Sequence, residues 1–311
     1  MDIHFLHQGD SEATIAGMGA ELQALRLGGT DLLWTAGSLW PRHAPLLFPI
    51  VGALKADTLH HQGAAFHLPK HGFARDLAFT WLDRQATTCT LELRDDAHTG
   101  TMFPFPFCLR VVYILEQSAL RMDLELHNPG AQALSASLGL HPAFRWPLVP
   151  AIPKAAHRLV FERDEPSPVR RLDARGLLAM EPRPTPIRGR NLPLDEDLFS
   201  EDALIFLEPN SQSLRLEATG GPAVTLSWEG FPHLGVWAKP EPGPTFLCLE
   251  PWDGYASPAD WAGDFADKPG GFVVAPGATR HWRFSIGLEG PMACQQLSRP
   301  APPPGNAGSP G

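Results

Sequence analysis

The sequence predicts an all-β protein built from antiparallel sheets that pack face to face, and three observations predict it. Apolar and polar residues alternate with period two in one run after another, the pattern of strands with one buried face. Proline and glycine are abundant, 33 and 29 of 311 residues, a load of breakers that helices tolerate poorly and turn-rich sheets use. Helix signals are thin: only residues 255–265, after the Ser257-Pro258 start signal, have the makings of one short turn.

The strands are read in order. Alternation runs from Cys89 to Arg94 and from Phe107 to Glu116. From Leu120 to His127, Leu120, Met122, Leu124 and Leu126 alternate with Arg121, Asp123, Glu125 and His127, and Asn128-Pro129-Gly130 turns the chain. The clearest hairpin sets Leu214, Leu216 and Ala218 against Val224, Leu226 and Trp228 across the Gly220-Gly221-Pro222 turn. A last run extends from Trp282 to Glu289. Residues 162–200, rich in proline and charge, read as an irregular excursion inside one domain, because strand signals resume on both sides. The expected organisation is a single β domain over residues 1–291 and a disordered Pro/Gly-rich tail over 292–311.

Composition narrows the function. A chain of this size buries roughly three quarters of its extended surface and needs no disulfide or metal staple. With 25 basic and 34 acidic residues the net charge is −9, which argues against nucleic acid or an anionic membrane surface as partner. The four cysteines, Cys89, Cys108, Cys248 and Cys294, form no Cys-x-x-Cys pair, so a zinc ribbon or thioredoxin-type site is not expected. The N-terminus lacks a secretory pattern and no apolar run approaches the ~20 residues of a membrane span. The expectation is a reduced, cytoplasmic protein, monomeric or weakly dimeric, with no membrane association.

Three segments carry candidate chemistry. In Leu68-Pro69-Lys70-His71-Gly72-Phe73-Ala74-Arg75-Asp76, glycine allows a tight turn beside an accessible imidazole, while Arg75 and Asp76 either pair with each other or orient His71. In Gly139-Leu140-His141-Pro142-Ala143-Phe144, the proline holds His141 extended and so fixes the direction of its side chain. In Phe246-Leu247-Cys248-Leu249-Glu250-Pro251-Trp252-Asp253, a carboxylate closes an apolar strand, and Trp252 is read as a loop residue. Taken singly, each has a bland reading as a surface or core residue. No metal site is expected: Pro69 prevents the helix that would align His67 with His71, and His60 and His61 cannot both face one ion from a strand. Gly-x-Ser-x-Gly, Walker and Gly-x-Gly-x-x-Gly patterns are missing, so no nucleotide cofactor is expected.

Taken together, these segments resemble the aldose 1-epimerase (galactose mutarotase) family, in particular its LacX-like branch. The resemblance runs in family order through Pro45-Leu46-Leu47-Phe48-Pro49-Ile50-Val51-Gly52, His71-Gly72-Phe73-Ala74-Arg75-Asp76 and Gly139-Leu140-His141-Pro142-Ala143-Phe144. It continues through Asp202-Ala203-Leu204-Ile205-Phe206, Pro232-His233-Leu234-Gly235-Val236-Trp237 and Glu250-Pro251-Trp252-Asp253-Gly254. It implies an antiparallel β-supersandwich with an open sugar-binding groove, and a cofactor-free isomerase that interconverts the α and β anomers of an aldohexose such as glucose or galactose. Carried over by motif, Glu250 is the base on the anomeric hydroxyl, His141 the acid at the ring oxygen, and His71 the assisting histidine. A carboxylate is ionised at neutral pH, and its charge is expected to keep a neighbouring histidine protonated.

One departure stands out. Relatives carry an arginine after the Pro-Ile-Val-Gly segment, where this chain has Ala53. Arg42 or Lys55 is left to supply the donor, and lysine lacks the planar fork of arginine. Arg75, Asp202 and Trp252 complete the expected sugar contacts; Asp202 reads equally as a strand-start acid, and Trp237 reads either as a second stacking face or as core. Two alternatives stay open. A non-catalytic carbohydrate-binding protein would not need the three acid–base residues intact, and a glycoside hydrolase would need a second carboxylate, for which Asp253 is nearest in sequence.

Overall fold

The computed structural model describes residues 2–240 and 243–290, and its strands all pair antiparallel. The expected tail over 292–311 and Cys294 lie outside the described residues. The half-buried strands fall where alternation put them. Leu120, Met122, Leu124 and Leu126 are buried in the strand Ala119–His127, which lies between Cys108–Leu115 and Thr279–Glu289. The predicted hairpin pairs Ser213–Ala218 with Ala223–Glu229, setting Leu214 against Leu226 and Leu216 against Val224. These strands belong to a nine-stranded sheet that runs from Asn191–Pro193 at one edge to Thr80–Arg84 at the other.

A second sheet of six strands carries the site. Its order is Leu204–Leu207, His233–Trp237, Phe246–Asp253, Leu138–Leu140 and Leu46–Leu47, with Ala143–Arg145 also paired to Phe246–Asp253. Leu247 and Leu249 of the central strand pack into one large core with Leu109, Leu124 and Val224 of the nine-stranded sheet. The alternate residues Phe246, Cys248, Glu250 and Trp252 point to the opposite face. There the excursion after Phe161 supplies Leu172 and Leu178, and the loop after Asp31 supplies Trp34, Leu39 and Trp40. The excursion has no strand before Asn191–Pro193, in keeping with its composition. Among the described residues helical structure is confined to single 3₁₀ turns, one of which, Phe265–Asp267, starts on the last residue of the segment 255–265 expected to hold a turn. Among the described residues no helix is long and apolar enough to cross a membrane.

Candidate active site

The strand Phe246–Asp253 is buried along its whole length and extends past Glu250 to Asp253. Glu250 is therefore a mid-strand residue, not the end of a strand, and Trp252 lies in the strand rather than in a loop. Pro251 is tolerated although the strand is flanked on both sides. Next to it, the neighbouring strand is broken at His141-Pro142, so the ladder already has a gap there.

That gap creates the central geometry. Gly139 faces Trp252 and Ala143 faces Cys248, so the register is the same on either side of His141 and Pro142. His141 consequently falls across from Glu250, with Nε2 3.2 Å from Oε2. Its backbone N–H is taken by the Pro45 carbonyl at 3.1 Å, which holds the chain as it steps out of the ladder. On the other flank Glu250 faces Gly235. Gly139 and Gly235 form the seat of Trp252: a Cβ at Gly139 would stand 2.6 Å from its indole Cδ1, and one at Gly235 would overlap the far edge of the ring.

His71 is fixed by a two-way clamp with Gly52. The His71 N–H donates to the Gly52 carbonyl at 2.8 Å, and the Gly52 N–H donates to His71 Nδ1 at 3.1 Å. With Nδ1 accepting, the neutral ring carries its proton on Nε2, a donor for the cavity that His71 lines. The clamp requires left-handed backbone at both residues, φ +68° at His71 and +72° at Gly52. A Cβ on Gly52 would also lie 2.5 Å from that of Ala256. Asp202 is likewise left-handed, at φ +66°, and its Oδ1 accepts from the Ala203 N–H at 2.7 Å. Two non-glycine residues in this rare conformation on one cavity mark a site where backbone strain is retained.

These side chains line one cavity of about 250 Å³ together with Trp40, Arg42, Lys70, Arg75, Trp237 and Trp252. Lys55 does not belong to it. That residue sits exposed in the turn Lys55–Asp57, because the chain turns away after Gly52. Ala53 is buried, and its carbonyl accepts from the Ser257 N–H at 2.9 Å, so nothing there replaces an arginine fork. Arg75 and Asp76 do not orient His71, which is the work of Gly52. Arg75 instead donates to the Lys70 carbonyl at 2.7 Å and lies 3.5 Å from Asp76, which accepts from Arg42 at 2.8 Å.

Trp40 and Lys70 are lining residues that sequence reasoning does not name, and Trp237, which it leaves between sugar face and core, lines the cavity too. Trp40 stacks on His141 with centroids 5.1 Å apart, and Trp237 meets the same ring edge-on at 5.7 Å. Trp237 thus faces the cavity and is only partly buried. Lys70 is exposed at the rim. The position of Trp40 two residues before Arg42 was the one signal that could have flagged it.

Electrostatics correct one expectation. Burial, more than any neighbouring charge, sets the titration of the pair. It pushes the Glu250 carboxyl well above the ordinary range, with Lys70 opposing and Asp202 adding to the rise. It brings the His141 imidazole down to about 3, an effect to which Lys70, Arg75 and Arg42 add. Burial likewise holds His71 well below its ordinary value, helped by His141 and the same cations. The buried surroundings therefore oppose the separated charges of a Glu250 carboxylate and a His141 imidazolium, against the expectation that the carboxylate keeps the histidine protonated.

The comparisons with known proteins agree with this architecture. The Lactococcus lactis proteins named LacX, one chromosomal and one plasmid-borne, are each 30% identical over 281 residues, covering 86% of this chain and 93% of theirs. A galactose mutarotase related enzyme from Lactobacillus acidophilus superposes with a TM-score of 0.84 at 28% identity, covering 93% of this chain and 98% of its own. A galactose mutarotase-like protein from Lactobacillus casei gives 0.85 at 28% identity, covering 92% and 100%. The sequence profile of the aldose 1-epimerase family matches residues 2–264, and the chain belongs to that family.

Proposed function

We propose that the protein is an aldose 1-epimerase that interconverts the anomers of an aldohexose, with Glu250 and His141 as the proton-transfer pair. The observation that carries this reading is their cross-strand contact, 3.2 Å apart and lining the cavity. Mutarotation needs one proton removed from the anomeric hydroxyl and one delivered to the ring oxygen. A pair that shares a single proton meets that stoichiometry in both directions.

Hydrogen bonds from sugar hydroxyls offset the burial of charge, so the shared proton can move from Glu250 to His141. The Glu250 carboxylate then takes the O1 proton while the His141 imidazolium protonates the ring oxygen. The C1–O5 bond breaks and the open-chain aldehyde forms. The pair is left as carboxyl and neutral imidazole, the same distribution it holds at rest. After rotation about C1–C2, His141 takes the proton back from the O5 hydroxyl, O5 attacks C1, and Glu250 returns its proton to O1. His71 Nε2–H donates to the oxygens at this centre. Trp40, Trp237 and Trp252 offer apolar surface to the sugar, and Asp202 accepts from its hydroxyls.

A second reading of the substrate has its own observation. Arg42, Lys70 and Arg75 line the same cavity, and among the described residues Asp76 is the one carboxylate that pairs with the two arginines. Such a group favours a hexose bearing a phosphate over a neutral one. The test is polarimetry on freshly dissolved α-glucose, α-galactose and hexose phosphates, with aryl glycosides alongside. Faster anomer equilibration supports the proposal. Sugar binding without acceleration would instead indicate a carbohydrate-binding protein, and release of the aryl group a hydrolase.

A further inference from the structure

Cys248 takes no part in the proton transfers, yet it stands among the groups that do. It precedes Glu250 by two residues on the same face of the strand and faces Ala143, just beyond His141. Its sulfur, a ring nitrogen of His141 and a carboxylate oxygen of Glu250 all lie within 4.8 Å of one another. Among the described residues this is the one group of three or more such side chains so disposed, and all three are buried. Atoms spaced in this way share a centre within about 3 Å of each, so zinc bonds of about 2.0–2.3 Å need only small side-chain adjustments.

Charge favours the same occupant. All three side chains are buried, and a divalent ion held by one thiolate, one carboxylate and a neutral imidazole is electrically neutral, which suits a buried site. The thiolate selects a soft cation such as zinc over magnesium or calcium. His141 and Glu250 also line the cavity, leaving a fourth position to water, as in open zinc sites.

We propose that His141, Cys248 and Glu250 form an inhibitory site for a thiophilic divalent cation, zinc being the best match, which occupies the acid and the base together. Binding displaces two protons to solvent, one from the thiol and one from the pair. The cations at the rim, Arg42, Lys70 and Arg75, oppose a divalent ion, so the metal is expected to be removable by a chelator.

The test uses the full chain stripped with EDTA. Titration with Co²⁺ should produce a thiolate-to-cobalt charge-transfer band that Zn²⁺ abolishes and Mg²⁺ does not. The band should vanish in Cys248→Ala and in Cys248→Ser, the second variant guarding against misfolding of the first. The band is read without sugar, so its absence is not confused with a lack of mutarotase activity. In the equilibration assay, the Zn²⁺ concentration that halves each protein's own rate should rise about ten-fold or more in Cys248→Ala. A wild-type protein without the band, a band that survives both substitutions, or equal zinc sensitivity in wild type and variants would overturn the proposal.

Discussion

His141 and Glu250 face each other across an interrupted ladder, their Nε2 and Oε2 atoms 3.2 Å apart. The contact follows from strand register. The step from Gly139 to Ala143 matches that from Trp252 to Cys248, so the break at Pro142 frees the His141 side chain without moving it out of line with Glu250. Replacing His141 by Gln keeps a polar group there but removes the proton carrier. We expect the anomerisation rate to fall by about 10²–10⁴-fold, with a circular dichroism spectrum like that of the wild type. A loss under ten-fold would show that His141 is not the acid.

The seat of Trp252 yields a second prediction. Gly235→Ala puts a methyl group into the indole, an overpacking that costs about 1–3 kcal/mol and displaces the Trp252 ring that lines the cavity. Urea denaturation should record that loss, and KM should rise more than kcat falls. Gly100→Ala is the control for a glycine outside the cavity, since its Cβ would meet no atom within 4 Å and its backbone is not left-handed.

The rim cations make a third. Arg42→Ala and Arg75→Ala should each raise KM for a hexose phosphate by roughly ten-fold or more, the value of one charge-assisted hydrogen bond, and change KM for the unphosphorylated sugar less. Equal effects on both sugars would assign the arginines to the hydroxyls or to folding.

Lys268 supplies a prediction about stability. It is buried, and its ammonium donates to the Tyr255 and Pro269 carbonyls without a carboxylate partner, so burial lowers its pKa from 10.5 to about 7. Between those values the unfolded chain holds a proton that the folded one lacks. The contribution of Lys268 therefore grows as pH rises from 7 towards 10.5 and is lost as pH falls through that window. The stability difference between wild type and Lys268→Met should climb with pH there, at no more than about 1.4 kcal/mol per unit. A pH-independent difference would contradict the shift.

Much of the fold was legible because strands with one wet face write their burial into the sequence, as Leu120 to His127 does. The strand that carries Glu250 is covered on both faces, so its residues show no alternation. Without alternation, the Glu250-Pro251 pair reads as a strand end and Trp252 as a loop residue. The motifs name His71, His141, Glu250, Asp202 and Arg75, and these share one cavity, which Arg42, suggested only by its nearness to Ala53, also lines. Lys55 lies near Ala53 in sequence, but a turn carries it outward. Trp40 and Lys70 sit on loops, where no periodicity marks the inward side. The clamp between Gly52 and His71 depends on left-handed backbone at both residues, which a sequence alone does not display at a histidine.

The proton-transfer role of Glu250 is tested most directly by following fresh α-glucose or α-galactose, and the corresponding hexose 6-phosphates, to equilibrium with wild type and Glu250→Gln. The expected result is acceleration of at least one sugar by wild type and a loss of about 10²–10⁴-fold in the variant, with the cooperative unfolding transition retained. Equilibration at the wild-type rate by a folded Glu250→Gln protein would contradict it.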